Sequence, residues 1–222
     1  MLRDARLIAG KDLRIERRAR VATNQVAPFA LLVLVLFAFA LDPDRGVLDR
    51  ATAGLYWIAV LLSTVLAVQR SYAIETSDGV ADALRLSGLE PAGVFLGKTV
   101  SLAVQLVVLE ALLLAGVAVL YSADLEGPGL LAATCVAATL GLASAGSLYG
   151  VLAAGLRVRE TLLPLLLLPI VAPVLIGATR AFESALAGAP GDGWPWCGLL
   201  AIFAATYIAF GMLAFGPLME EL

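Results

Sequence analysis

Apolar residues in this chain gather into six long blocks, and the breaks between them are short except for one. The blocks run over about 22–41, 54–68, 94–120, 130–156, 162–179 and 196–215. Each approaches the roughly 20 residues that carry a helix across a hydrocarbon core. The first reaches full length only when the polar-flanked residues 22–25 join it. The pattern predicts an all-α integral membrane protein, one six-helix transmembrane bundle forming a single domain over residues 1–222.

The leader before the first block suits a helix lying on the membrane surface over about 3–20. Ala5, Ile8, Ile15 and Ala19 share one face at helical spacing, and Arg3, Arg6, Arg14 and Arg17 share the opposite one. Asp12 and Glu16 intrude on the apolar side. Two readings stay open: a basic topology signal, or an elbow helix that turns at residues 24–28 into the first span. A removable signal peptide is not expected, because the leader is long and polar and no small-residue cleavage site follows.

The one long polar break, 69–93, reads as a connection with its own short helix at about 78–87. Asp78 is a good N-cap and sets negative charge at the positive end of the helix dipole. Gly79 is tolerable in a first turn. Val80 and Leu84 stack at i, i+4, and Asp82 faces Arg85 at i, i+3. Gly88 is a natural stop, and Pro91 suits the first turn of the next helix. Such a helix is either a linker that positions the third span or a docking element for a cytoplasmic partner.

Composition agrees with the pattern: 61% of residues are hydrophobic and 15% charged, with a mean hydropathy of +0.94. Soluble domains hold about 45–50% apolar and about 25% charged residues. Nothing basic and extended suggests nucleic acid as a partner. Orientation follows from the cations. Arg3, Arg6, Lys11, Arg14, Arg17, Arg18 and Arg20 precede the first span, Arg70, Arg85 and Lys98 follow the second, and Arg157 and Arg159 follow the fourth. The other loops hold Arg45, Arg50 and Arg180 against seven acids. The positive-inside rule therefore puts both termini and the 69–93 segment in the cytoplasm.

Chemistry inside the spans is sparse. Glu110 is the one ionisable residue deep within a block, with Gln105 before it. An acid there is costly, and it reads either as a contact with another subunit or as a carboxylic acid hydrogen-bonded within the bundle. The chain has no histidine. A helical zinc pair and a Ser–His relay are therefore excluded, and axial ligation of heme iron is left with few side chains: Met212, Met219, Cys135, Cys197 and the tyrosines. Cys135 and Cys197 are expected as two buried free thiols. Gly97-Lys98-Thr99 lacks the upstream glycine of a phosphate-binding loop, so this chain has no ATPase site of its own. The small residues of the fourth block, among them Gly141, Ala143, Ala145, Gly146 and Gly150, suit close helix contact, either within the chain or between subunits. Pro164, Pro169 and Pro173 either curve the fifth span or break it. Trp194-Pro195-Trp196 anchors the last span at the outer interface.

Several of these segments together resemble the membrane subunits of type-2 ABC exporters, and within them the heme exporter protein B family of cytochrome c maturation. The resemblance rests on the leader Ala9-Gly10-Lys11-Asp12-Leu13-Arg14 and on Gly54-Leu55-Tyr56-Trp57-Ile58-Ala59. It extends through the acidic–Asp78-Gly79–acidic pattern, Gly97-Lys98, and Leu168-Pro169 followed by Pro173. It implies that Tyr72, Glu75, Asp78, Gly79, Asp82 and Leu84 form a coupling segment for a separate ATP-binding subunit, expected as a dimer. The family has Phe where this chain has Tyr72, Asp where it has Glu75, and Glu where it has Asp82. Further partners implied are membrane lipid, a heme-handling membrane protein and an external heme chaperone. No cofactor is expected on this chain: ATP binds the partner, and heme is handled by the complex on another chain. The implied location is a bacterial or archaeal cytoplasmic membrane. Two other readings remain: a type-2 exporter of a lipid, glycan or drug, and a scaffold or small membrane enzyme.

Overall fold

The leader forms helix α1, Leu2–Ala19, which ends when Arg20 turns left-handed (φ 51°) and its N–H reaches the Glu16 carbonyl. A π-helical turn, Ala22–Val26, then leads into α2, Ala27–Leu41. The spans that follow are α3, Arg45–Glu75, α4, Pro91–Leu120, α5, Pro128–Ala154, α6, Arg159–Leu186, and α7, Pro190–Glu220. These come from a computed structural model that describes residues 1–20, 22–41, 45–75, 88–123, 125–154 and 159–220. Among the described residues there is no strand, and six helices are long and apolar enough to cross a membrane.

Several helices outrun their apolar blocks. α3 begins at Arg45 and ends at Glu75, beyond the expected 54–68, and α6 continues to Leu186. α7 begins at Pro190, so Trp194-Pro195-Trp196 sits within its first turns instead of before it. The extra turns carry residues such as Asp49, Arg50 and Arg70, which propagate a helix once apolar turns have nucleated it.

α6 also runs as one helix through Pro164, Pro169 and Pro173, so the break considered there is not present in this structure. Each proline forfeits one backbone bond. Away from water, however, every other N–H and C=O must still be paired, and continuing the helix pairs them.

α5 is the central helix. All eight residues from Gly141 to Leu148 are buried within the chain, against α3, α4, α6 and α7. Helices in lipid gain little from apolar burial against one another and associate by close packing. A Cβ added at Gly146 would lie 2.7 Å from Val68 of α3, and one at Gly150 would run into the Tyr72 ring. The small-residue block is therefore used for packing within this chain, and the outward positions Ala132 and Val136 are exposed.

Among the described residues, the interior divides into two clusters. The outer one gathers around Tyr56, Trp57, Leu113 and Phe182, with Tyr56 stacked on Phe182 at 4.6 Å between ring centroids. The inner one gathers Ile8, Val68, Tyr72, Phe95, Leu102 and Phe215. Because α3 and α5 descend while α4 rises, the inner cluster lies at the end of the bundle that the Lys and Arg distribution assigns to the cytoplasm.

α1 packs along the first turns of α4 at two glycines. A Cβ at Gly97 would fall 2.7 Å from Ile8 Cβ and 2.8 Å from the Ala5 carbonyl oxygen, and Gly93 is equally close to Met1 and Asp4. The inward stripe differs from the expected one. Ile8 and Ala9 are buried and Asp12 is mostly covered, whereas Ala19 is exposed.

Candidate coupling site

The inner ends of α3 and α4 flank the polar segment singled out in the sequence. Asp78, Gly79, Asp82 and Leu84 lie outside the described residues, as does the short helix expected there, and Glu75 is described only as the last residue of α3. What the structure gives is the frame from which that segment departs and to which it returns. On the return side, Gly88 is exposed with φ 67°, a left-handed conformation that favours glycine. Glu90 is extended, and Pro91 opens α4, where its missing N–H is not needed.

On the departure side, Tyr72 is only 3% exposed. Its hydroxyl donates to the Ser147 carbonyl of α5 at 2.6 Å, and its ring lies against Gly150. A side chain so enclosed anchors the end of α3 to α5. Enclosed in this way, it is not surface for a cytoplasmic partner.

Lys98, two turns into α4, was counted in the sequence as cytoplasmic charge. The structure buries it, with 1% of the side chain exposed. Its ammonium lies 3.5 Å from Asp12 Oδ2, 3.3 Å from Ser71 Oγ and 4.7 Å from the centre of the Tyr72 ring. The Asp12 that seemed to spoil the apolar face of the leader is thus a counter-ion. Asp4, one further acid on that face, accepts from the Glu90 N–H at 3.3 Å. The leader helix, the end of α3 and the start of α4 therefore meet through polar contacts that sequence periodicity did not expose.

Beside this junction a cavity of about 480 Å3 opens between the π-helical turn, α3, α5 and α6, lined by Gln25, Phe29, Leu66, Arg70, Tyr72 and Leu163 among others. Exposed Arg70 donates to Gln25 Oε1 at 3.2 Å. The end of α3 is thus close-packed toward α4 and α5 and open toward α2 and α6.

Glu110 lies far from this junction, in the outer cluster. Thr139 of α5 donates to its Oε1 at 2.5 Å, and the Tyr56 hydroxyl of α3 donates to its backbone carbonyl at 3.2 Å. The Cys135 thiol sits 3.6 Å from the same hydroxyl. Glu110 thus ties α3, α4 and α5 within the chain, which favours the intrachain reading of this acid. Gln105 is half-buried and five residues earlier, about 140° around the helix, so the two do not form one site. Thr139 and Tyr56 gave no sequence signal of this role; matched depth in antiparallel spans was the available clue. Cys135 and Cys197 are free thiols, the first half-buried and the second buried.

Comparison with known proteins covers nearly the whole chain. The family model described as CcmB protein matches residues 4–220. Heme exporter protein B of Paracoccus denitrificans (strain Pd 1222) is 31% identical over 214 residues, 92% of each chain. The protein of that name from Haemophilus influenzae is 32% identical over 202 residues, 90% of this chain and 89% of its own. That from Pseudomonas aeruginosa is 30% identical over 218 residues, 94% and 93% respectively. A match that runs from the first turn of α1 to the last of α7, with these relatives covered over 89–93% of their own length, leaves one assignment: the chain belongs to the CcmB protein family.

Proposed function

We propose that this chain is the membrane permease subunit of an ABC complex for heme export in c-type cytochrome biogenesis, driven by a separate ATP-binding subunit. The observation that carries the reading is the family match over residues 4–220, together with relatives named heme exporter protein B. Six candidate spans support a permease, and the lack of a phosphate-binding loop in the sequence assigns ATP hydrolysis to another polypeptide.

In this reading the complex sits in a bacterial or archaeal cytoplasmic membrane with both termini inside, as the Lys and Arg distribution requires. The 69–93 segment, with Glu75, Asp78, Gly79, Asp82 and Leu84, meets the ATP-binding subunit. Movement there enters the bundle at the junction of Tyr72, Lys98 and Asp12. Heme is cargo of the complex. With no histidine in the chain, ligation of heme iron falls to a heme-handling membrane partner, and an external chaperone receives the product. Purification of the intact complex through a tag on this chain tests the reading. An ATP-binding subunit, expected in two copies, should co-purify, and deletion of this gene should abolish c-type cytochromes. Normal cytochrome c in the deletion strain contradicts the heme assignment, and a complex without an ATPase contradicts the class.

A further inference from the structure

We propose that the buried Asp12–Lys98 ion pair is a positioning latch, which makes α1 and the two ends of the 76–87 connection move as one body. The proposal rests on the coupling role given to that connection above.

Lys98 touches every element concerned. It projects from α4, where the connection returns, and reaches Asp12 on α1 and Ser71 and Tyr72 on α3, where the connection leaves. Tyr72 passes the tie on to Ser147 of the central helix. A charge with 1% exposure is costly to bury, and an apolar residue of similar length would fill the same space. Apolar packing would hold the elements near one another without fixing their register, whereas an ion pair hydrogen-bonded to a third element fixes both distance and direction.

The surroundings make that register matter. α1 rests closely on α4 at Gly93 and Gly97, and its first turn is held at Glu90 by the Met1 ammonium and Asp4. The end of α3 has the 480 Å3 cavity on its other flank, so it has room to move away from α4. Lys98 opposes that displacement and links the end of α3 to α1 through Asp12. A push on the connection that shifts the end of α3 therefore carries α4 and the surface helix with it, instead of being absorbed locally.

The test uses the intact complex with its ATP-binding subunit in lipid nanodiscs, in a Cys135→Ala, Cys197→Ala background. Spin labels are attached at Arg14→Cys on exposed α1 and Val136→Cys on α5. The distance between them is measured with and without ATP, alongside heme delivered per ATP hydrolysed. With the native pair, and with Lys98→Arg, ATP should shift the distance. Lys98→Met and Asp12→Asn should lose the shift and lower heme per ATP at least tenfold, with ATP-binding subunit association unchanged within twofold. Since a single variant upsets the charge balance of a buried site and can misfold, Asp12→Leu/Lys98→Met carries the decisive comparison: it puts apolar side chains in place of the latch. Retention of the shift and of heme per ATP within twofold in that double variant overturns the proposal, as does a native complex whose label distance ignores ATP. If Glu75→Ala/Asp78→Ala loses activity while the latch variants keep it, the latch alone fails. If the Glu75/Asp78 variant keeps full activity and association, the coupling reading itself fails.

Discussion

Alanine at both Glu75 and Asp78 is expected to reduce ATP-dependent cytochrome c maturation at least a hundredfold while leaving membrane insertion intact. Glu75 closes α3, three residues past the anchored Tyr72, and Asp78 follows three residues later. In the sequence both acids follow the apolar block that ends at about residue 68, so membrane insertion is expected to survive their loss. Truncating one member of a desolvated charge pair at a protein interface costs about 2–5 kcal/mol. The loss of two such groups exceeds the roughly 2.7 kcal/mol that corresponds to a hundredfold. Heme staining of c-type cytochromes and co-purification of the ATP-binding subunit measure the effect. Undiminished association and cytochrome levels would remove the coupling role from these acids.

Leucine at Gly150 is expected to destabilise the bundle by about 3 kcal/mol, the upper end of the usual cost of overpacking. A first side-chain carbon at this position already overlaps the Tyr72 ring. That ring has little freedom, since its hydroxyl is fixed on the Ser147 carbonyl and Lys98 lies over its face. Tyr72→Ala alone opens a cavity and costs about 3–5 kcal/mol by analogy with other buried aromatics. The two changes are complementary in volume, so Gly150→Leu/Tyr72→Ala should recover more than half of the summed loss. Thermal unfolding in detergent, followed by loss of monodispersity, measures all three. Additive losses in the double variant would show that Tyr72 and Gly150 do not pack as described.

The six spans were legible in the sequence because each is written locally, as a run of apolar residues. Pro91 as a helix start and Gly88 as a left-handed turn were legible for the same reason. Helix ends were less so. α3 continues to Glu75 through Arg70 and Ser71, residues that end an apolar block without ending a helix. The partners of the buried charges were not legible at all. Asp12 looks like a flaw in an amphipathic helix until Lys98, 86 residues away, is placed against it. The exposed Ala19 shows the reverse error, since helical spacing groups it with Ile8 but α4 covers only one flank of α1. Glu110 announced itself by being an acid in a span. Its contacts with Thr139 and Tyr56 depend on the relative depth of three helices, which one-dimensional patterning does not encode.

Work from an ATP-binding subunit is expected to enter this protein through the connection between α3 and α4. Cysteine cross-linking tests it most directly, with Asp82→Cys introduced into the Cys135→Ala, Cys197→Ala chain and the whole complex isolated from membranes. A short homobifunctional cross-linker should join position 82 to the ATP-binding subunit, with a yield that changes when ATP is added. A control cysteine at the exposed Glu126, on the opposite side of the bundle, should give no such product. Cross-linking of the ATP-binding subunit to the leader or to residues 155–158, with none at position 82, would contradict it.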